Sequence, residues 1–332
     1  MVSTVGLVVI GRNEGDRLKR CLQSVRDQVS SIVYVDSGST DDSVAYAQGL
    51  GVEVVALDLS IPFTAARARN AGFARLKEIQ PDVEFVQFVD GDCEIVPTWW
   101  AIAENALKQN PELVVVCGRR RERFPERSIF NRLCDLEWDT PIGSARACGG
   151  DALMRVSALE AVGGFNPDLI AGEEPELCIR LRRQGGKIER LDAEMTLHDA
   201  AMTRWGQWWQ RNVRGGHSFA QVSAVQASDP TIYQKQESRR IWLWGLFLPV
   251  LAVGLSWLTQ GWSLLLFALY PLQMVKIYRN QRSRDRSPQE AWLYAFFCVL
   301  GRFPQLQGQV TFYRNRWQGQ KTRLIEYKAA DS

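Results

Sequence analysis

Asp90 and Asp92 stand one residue apart at the end of the apolar run Phe85-Val86-Gln87-Phe88-Val89, with Gly91 between them. Two carboxylates on one turn can hold a divalent cation, and a glycine there lets backbone and ligand approach closely. A lone acidic pair is common, so its weight comes from its company. Asp36 closes a second apolar run, Ile32 to Val35, with Asp41-Asp42 just beyond. Acidic residues after strands also cap helices, a reading that stays open for Asp41 and Asp42. Glu173-Glu174 open a helical pattern and offer a carboxylate to take a proton from an attacking hydroxyl. His198, one of only two histidines, follows a predicted strand, Glu194 to Leu197. It reads equally as a metal ligand or a satisfied structural histidine. Arg211 and Arg214 carry guanidiniums suited to gripping a diphosphate, or simply mark a basic surface.

These residues need elements to position them. Val5–Gly11, Ile32–Val35, Val52–Leu57, Phe85–Val89 and Val114–Cys117 are short apolar runs of strand type. Helical spacing follows most of them: Asp16 to Val25, a stretch through Val44, Ala45 and Ala47, and Ala65 to Ile79. Further helices fit 155–162 and Glu173 to Gln184, and Arg119 to Arg132 is a polar, basic stretch. Strand-loop-helix repetition is the pattern of a doubly wound α/β sheet, where ligands bind beyond the carboxyl ends of the strands. The acidic residues sit at those ends.

Composition narrows the function classes. A formal net charge of +3 on 332 residues gives no electrostatic case for a nucleic-acid partner. Seven scattered cysteines without C-x-x-C spacing fit reduced thiols in a cytoplasmic compartment, and Met1 to Ile10 lacks the basic start of a signal peptide. Seven of the twelve tryptophans fall between Trp205 and Trp262, and Trp favours the boundary of water and lipid. From Ile241 to Val275 there are 35 residues without a charge, with a turn expected at Thr259-Gln260-Gly261. Two short membrane crossings are the expectation, with a buried helical hairpin as the alternative. Basic residues flank both sides: Lys235, Arg239 and Arg240 before, and Lys276, Arg279, Arg282, Arg284 and Arg286 after. Both ends would then face the cytoplasm. The expected division is 1–235 for the α/β domain and 236–332 for a membrane-associated region, comprising the hairpin 241–275, an interfacial helix 291–301 and a basic tail.

Four stretches in order carry a resemblance over about residues 4–215. They are Val8-Val9-Ile10-Gly11-Arg12-Asn13-Glu14; Val33-Tyr34-Val35-Asp36-Ser37-Gly38-Ser39-Thr40-Asp41; Phe88-Val89-Asp90-Gly91-Asp92-Cys93; and Gly163-Gly164-Phe165 leading to Gly172-Glu173-Glu174-Pro175-Glu176-Leu177. The chain resembles family 2 glycosyltransferases of GT-A fold, and its hydrophobic region is similar to membrane-attached bacterial members that build polysaccharides or glycolipids. The resemblance implies a doubly wound mixed sheet followed by the hydrophobic helical hairpin. It implies inverting transfer of a sugar from a nucleoside-diphosphate sugar, a UDP-sugar first, to a lipid-linked or glycan acceptor at the cytoplasmic face of a membrane.

Roles follow by the same resemblance. Asn13 and Glu14 in the first loop, Asp36, Arg69 and Asp90 would hold the nucleotide. Asp92 would bind Mn²⁺ or Mg²⁺, with His198 completing the shell, and Gly149, Gly150 and Asp151 would form the acceptor and sugar side. The family commonly has Glu-Asp where this chain has Glu173-Glu174, so Glu174 is the expected base and Glu173 the fallback. Gln207-Trp208-Trp209-Gln210-Arg211 departs from the Gln-x-x-Arg-Trp signature of processive synthases, which argues against that class. Two other classes are weighed. A nucleotidyltransferase would carry more glycine in its first loop than Gly11-Arg12-Asn13-Glu14 offers, and an inactive membrane scaffold would have no need of the retained carboxylates.

Overall fold

The computed structural model describes residues 5–229 and 232–320. Contacts divide the chain into a first unit, Met1–Pro125 with Trp138–Ala201, and a second, Glu126–Glu137 with Met202–Ser332. This division falls at Ala201–Met202, whereas the expected boundary lay at 235; the basic tail beyond residue 320 lies outside the described residues.

The chain opens with β1 (Val5–Gly11), α1 (Asp16–Val25), β2 (Ser31–Asp36), α2 (Ser43–Gly49), β3 (Glu53–Ala56), α3 (Ala65–Ile79) and β4 (Phe85–Asp90). Next come β5 (Cys93–Ile95), α4 (Trp99–Gln109), β6 (Leu113–Glu122), α5 (Ile129–Trp138), β7 (Gly143–Ser144), β8 (Ala152–Arg155) and α6 (Val156–Ala161). Then follow α7 (Glu173–Arg183) and β9 (Lys187–His198). One mixed sheet runs β3-β2-β1-β4-β8-β6-β9-β5, with β7 on β9. β1, β2, β3 and β4 are parallel to one another, while β8 runs antiparallel to both β4 and β6. Strands covered on both faces read as unbroken apolar runs, which is why Leu7, Val8, Val9, Phe88 and Val89 are fully buried.

Register does the positioning. β1 lies between β2 and β4, with Gly11 opposite Asp36 and Ile10 opposite Asp90, so both acidic strand ends flank the end of β1. α3 lies close against this sheet. A Cβ on Gly72 would come within 2.4 Å of Val8 and 2.8 Å of Val35, so only glycine permits the approach. Arg69, one turn earlier on α3, is thereby held beside Asp90.

Two strands exceed their sequence expectation. β6 runs on through Arg119–Glu122 in place of ending at Cys117, and β9 covers Lys187–His198 in place of 194–197. They pair in parallel through register shifts between Leu113 and Val115, Cys117 and Arg119, and Arg119 and Arg120. Such bulges break the two-residue alternation that marks a strand in sequence.

The second unit holds most of α5 and the helices α8 (Trp205–Val225), α9 (Tyr233–Trp242), α10 (Leu248–Gly254), α11 (Leu269–Arg282), α12 (Pro288–Leu300) and α13 (Arg302–Trp317). Here the membrane-crossing hairpin needs correction. Among the described residues, no helix is long and apolar enough to cross a membrane. The uncharged run widens to π geometry at Leu243–Phe247, breaks around Gln260 and Gly261 (φ 53° and 90°), and resumes as a 3₁₀ segment at Trp262–Ala268 that leads into α11. Its first arm, 241–254, rises roughly 20 Å against the ~30 Å of a hydrocarbon core. The turn at 259–261 falls where expected. The helix expected at 291–301 is α12, begun three residues earlier by a capping box in which Ser287 and Glu290 bond each other's backbone N–H.

α8 and α13 cross at backbone distance. A Cβ on Gly216 would lie 1.9 Å from the Gln305 carbonyl oxygen, and one on Gly308 would lie 2.0 Å from that of Val213. Backbone cannot yield as a side chain does. Gly216→Ala is therefore expected to cost at least the ~1–3 kcal/mol typical of overpacking. Gly206→Ala on the same helix, where a Cβ meets nothing within 4 Å, should cost nothing. Denaturant midpoints for the two variants make the comparison, and equal midpoints would show that the crossing does not constrain the unit.

Candidate active site

The first-strand loop and the loop after β2 are laced together. Asn13 sits in the left-handed region (φ 54°), which Asn tolerates better than most residues. Its N–H donates to Ser39 Oγ (2.9 Å) and its Oδ1 accepts from Thr40 N–H (2.7 Å). Gly15 N–H donates to Asp41 Oδ2 (3.0 Å) and Ser43 N–H, the first of α2, donates to Asp41 Oδ1 (3.0 Å), so Asp41 both braces the loop and serves the helix start. Asp36 is buried: its Oδ2 accepts from the N–H groups of Gly38 and Ser39 (3.0 Å each), and its Oδ1 from the Tyr34 hydroxyl (3.1 Å). Glu14 forms an ion pair with Arg17 (2.9 Å). The structure therefore gives Asn13 and Asp36 a loop-shaping role, with a ring of backbone around the end of β1.

Beside this ring, Arg69 joins two of the expected site residues. It is 3% exposed, donates to Asp90 Oδ1 at 2.8 Å and to Glu173 Oε1 at 2.5 Å. Burial opposes its charge, but Asp90 and Glu173 outweigh that and raise its pKa further. Gly91 N–H donates to the Ile10 carbonyl (2.8 Å), pinning the acidic turn to β1.

On the other side of that turn, Asp92 and His198 meet because β5 pairs with β9 and sets Cys93 opposite His198. His198 Nε2 lies 3.4 Å from Asp92 Oδ2, and both residues are buried. Ligand atoms of Asp92, Cys93 and His198 all lie within 4.8 Å of one another. A carboxylate and an imidazole this close suit a divalent cation of the Mn²⁺ type, so the residues fit the group that the fold implies. The Trp138 ring packs edge-on against His198 (4.6 Å between centroids).

The floor is a second ion-paired layer. Asp151 is fully buried, and its Oδ2 meets the Thr196 hydroxyl and an Arg120 nitrogen at 2.9 Å each. Burial raises its pKa, while Arg120 pulls the other way. Gly150 lies above: a Cβ there would meet Asp90 Oδ2 at 2.9 Å, Arg69 at 3.0 Å and Arg120 at 3.4 Å. Gly149 adopts φ 80°. Glu174 turns away from Arg69. Its Oε1 accepts from the Cys148 N–H and from the Cys178 thiol (3.1 Å). Burial raises its pKa, with the Cys178 and Cys148 contacts opposing the rise.

Thus Arg69, Asp90, Glu173, Gly150 and Asp151 come together, as do Asp92 and His198. Arg211 and Arg214 lie on α8 in the second unit, where Arg211 pairs with Glu137 at 2.5 Å. Arg120, Thr196, Trp138, Cys148 and Cys178 were missed. Arg120 was hidden in a stretch read only as basic, and Thr196 in a strand judged by its apolar residues. The cysteines carried one signal, Cys178 standing four residues after Glu174 on one helical face.

Residues 7–162 match the Glycosyl transferase family 2 model. A pre-mycofactocin glycosyltransferase from Mycobacterium tuberculosis is 26% identical over 245 residues, covering 68% of this chain and 49% of that protein. A succinoglycan biosynthesis protein from Rhizobium meliloti is 24% identical over 209 residues, 58% of this chain and 62% of that protein. A TPR repeat-containing protein from Synechococcus elongatus is 29% identical over 140 residues, 42% of this chain and 33% of that protein. The chain spans less than two thirds of the length of each of these relatives. Among solved structures, a mannosyltransferase from Pyrobaculum calidifontis, in complex with GDP-Man and Mn²⁺, superposes with a TM-score of 0.64 at 17% identity, over 95% of this chain and 88% of that one. Residues 7–162 thus carry the family 2 match, and the chain has the GT-A fold of a glycosyltransferase.

Proposed function

We propose that the protein transfers a sugar, with inversion, from a nucleoside-diphosphate sugar to a hydroxyl of a lipid-linked or glycan acceptor. The observation that carries this reading is the Arg69 bridge, which holds Asp90 and Glu173 beside the Asp92–His198 pair at the ends of β1 and β4. A divalent cation held by Asp92 and His198 would supply charge to offset a diphosphate. Asp90 is the partly exposed carboxylate of the bridge, suited to a ribose or base hydroxyl. Glu174 takes the proton of the acceptor hydroxyl, whose oxygen attacks the anomeric carbon in line. The bond from that carbon to the diphosphate breaks, and the nucleoside diphosphate leaves. Glu173, neutralised by Arg69, is poorly placed to be the base and instead fixes Arg69. A UDP-sugar is the first donor to try, and the GDP-Man held by the Pyrobaculum enzyme makes a GDP-sugar the second.

Glu174→Gln should keep donor affinity while turnover falls by roughly 10²–10⁴-fold. Nucleoside diphosphate release and donor titration measure the two, and near-normal turnover would take the base role from Glu174. A base works ionised, and burial raises this carboxyl above its ordinary 4.5, so activity should climb with pH through a correspondingly raised pKa. Cys117 and Glu173 also face this cluster, Glu173 adding to the rise. The Cys178 thiol favours the ionised form, so Cys178→Ala should move the acid limb of the profile upward, and a downward move would contradict the assignment.

Gly150→Ala adds one methyl between Asp90, Arg69 and Arg120. Its expected effect is a folded protein whose nucleotide affinity falls about tenfold or more, the ~1.4 kcal/mol equivalent. Calorimetric titration with UDP and GDP checks it; unchanged affinity for both would place the donor elsewhere.

We also propose attachment to the cytoplasmic face of a membrane, without crossing it. Trp257, Leu258 and Trp262 at the turn between α10 and the 3₁₀ segment are 91%, 77% and 73% exposed, and basic residues end α11. Exposed Trp and Leu with nearby cations suit an interfacial contact. Flotation with anionic vesicles should carry the protein, and serine at these three positions should leave it behind; equal flotation would discard the contact.

A further inference from the structure

A cluster outside the Asp92–His198 pair holds a second set of metal-binding atoms. Cys148, Glu174 and Cys178 are all buried, and their ligand atoms lie within 4.8 Å of one another. The two sulfurs are 3.7 Å apart, and Cys178 Sγ is 3.1 Å from Glu174 Oε1. A disulfide requires about 2.05 Å, so both thiols are free. On a tetrahedral centre with metal–sulfur bonds of about 2.3 Å, two sulfurs stand about 3.8 Å apart. A sulfur and a carboxylate oxygen at about 2.0 Å stand roughly 3.5 Å apart. The cluster thus has the spacing of half a tetrahedron plus one oxygen, and a small contraction or expansion closes it.

We propose that Cys148, Glu174 and Cys178 form a binding site for a thiophilic divalent cation of the zinc type, whose occupation takes Glu174 out of proton transfer. The second part rests on the base role given to Glu174 above. Two elements build the site. Glu174 and Cys178 lie four residues apart on α7, on one helical face, and Cys148 approaches from the loop between β7 and β8. Gly149 and Gly150 follow Cys148 directly, so that loop has backbone freedom to adjust. Binding forms two metal–sulfur bonds and one metal–oxygen bond, and the two thiol protons leave to solvent. The product carries one net negative charge, near Arg120 and Arg190, which act on the adjoining Cys117. Soft thiolate ligands separate this site from the carboxylate and imidazole of Asp92 and His198, which Mn²⁺ suits.

The test uses the full chain, first saturated with Mn²⁺ and then titrated with Cd²⁺ as the probe. The expected result is an ultraviolet thiolate-to-cadmium band that saturates at one ion per chain, with the rate of nucleoside diphosphate release falling in step by tenfold or more. Cys148→Ser and Cys178→Ser, alone and together, should lose the band, and each should hold its own cadmium-free rate when cadmium is added. The site is overturned if no band forms, or if the band survives in the double variant, since another cysteine such as Cys93 would then hold the ion. A full band at one ion per chain with an unchanged rate upholds the site and removes the base role from Glu174.

Discussion

One buried cation orders this active site. Arg69 emerges from α3 with 3% of its surface exposed and meets Asp90 on one side and Glu173 on the other. Burying a guanidinium costs several kcal/mol unless carboxylates of good geometry compensate it. Here the two carboxylates come from the end of β4 and the first turn of α7, segments about eighty residues apart in the chain. Losing both would strand the charge, a loss of ~3–5 kcal/mol in comparable pairs, and losing one leaves the other to carry it alone. The bridge therefore fixes the distance between the side of the site proposed to meet the nucleotide and the helix that carries the proposed base. Glycine at 72 makes this possible, because it lets α3 lie against Val8 and Val35.

The layers below obey the same electrostatic rule. Asp151 is fully buried, yet it has Arg120, Thr196 and the Asp90 N–H as partners. Arg69 is shared by Glu173 and Asp90, Arg120 pairs with Asp151, and the two like charges Asp90 and Asp151 stand side by side between these arginines, with Gly150 packed against Asp90, Arg69 and Arg120. Such a stack is rigid because moving any member uncovers a charge in a poorly hydrated place. Preorganised charge of this kind is what a reaction expelling a diphosphate requires, since the groups need not reorient as the bond breaks.

The parts of this design that sequence reading reached share a physical property: they are local. β1, β2 and β4 announce themselves as apolar runs, and Asp36, Asp90 and Asp92 follow from their ends. Arg120 and Thr196 are different. They lie on β6 and β9, strands whose bulges spoil the alternation and whose pairing joins residues some seventy positions apart. Nothing local to Thr196 says that it faces Asp151. The hydrophobic region failed for a related reason. An uncharged run of 35 residues measures composition, whereas a span is judged on the helices the run forms; the run turns at Gln260–Gly261, and among the described residues no helix is long and apolar enough to cross a membrane.

The placement of Glu174 shows why neighbouring acids on one helix turn can hold different offices. Successive helical residues point about 100° apart, so Glu173 and Glu174 cannot both face Arg69. Glu173 takes the cation and stays committed to it. Glu174 falls among Cys148, Cys178 and Cys117, where burial raises its pKa and only two thiols and one backbone N–H favour its charge. A carboxylate left this weakly stabilised is the better proton acceptor, because it gains more on being protonated. The surroundings that make it basic are sulfur-rich, and sulfur is what binds soft cations. Basicity and sensitivity to such cations are then two consequences of one choice, the placing of cysteines where an ordinary ion pair would have pinned the acid.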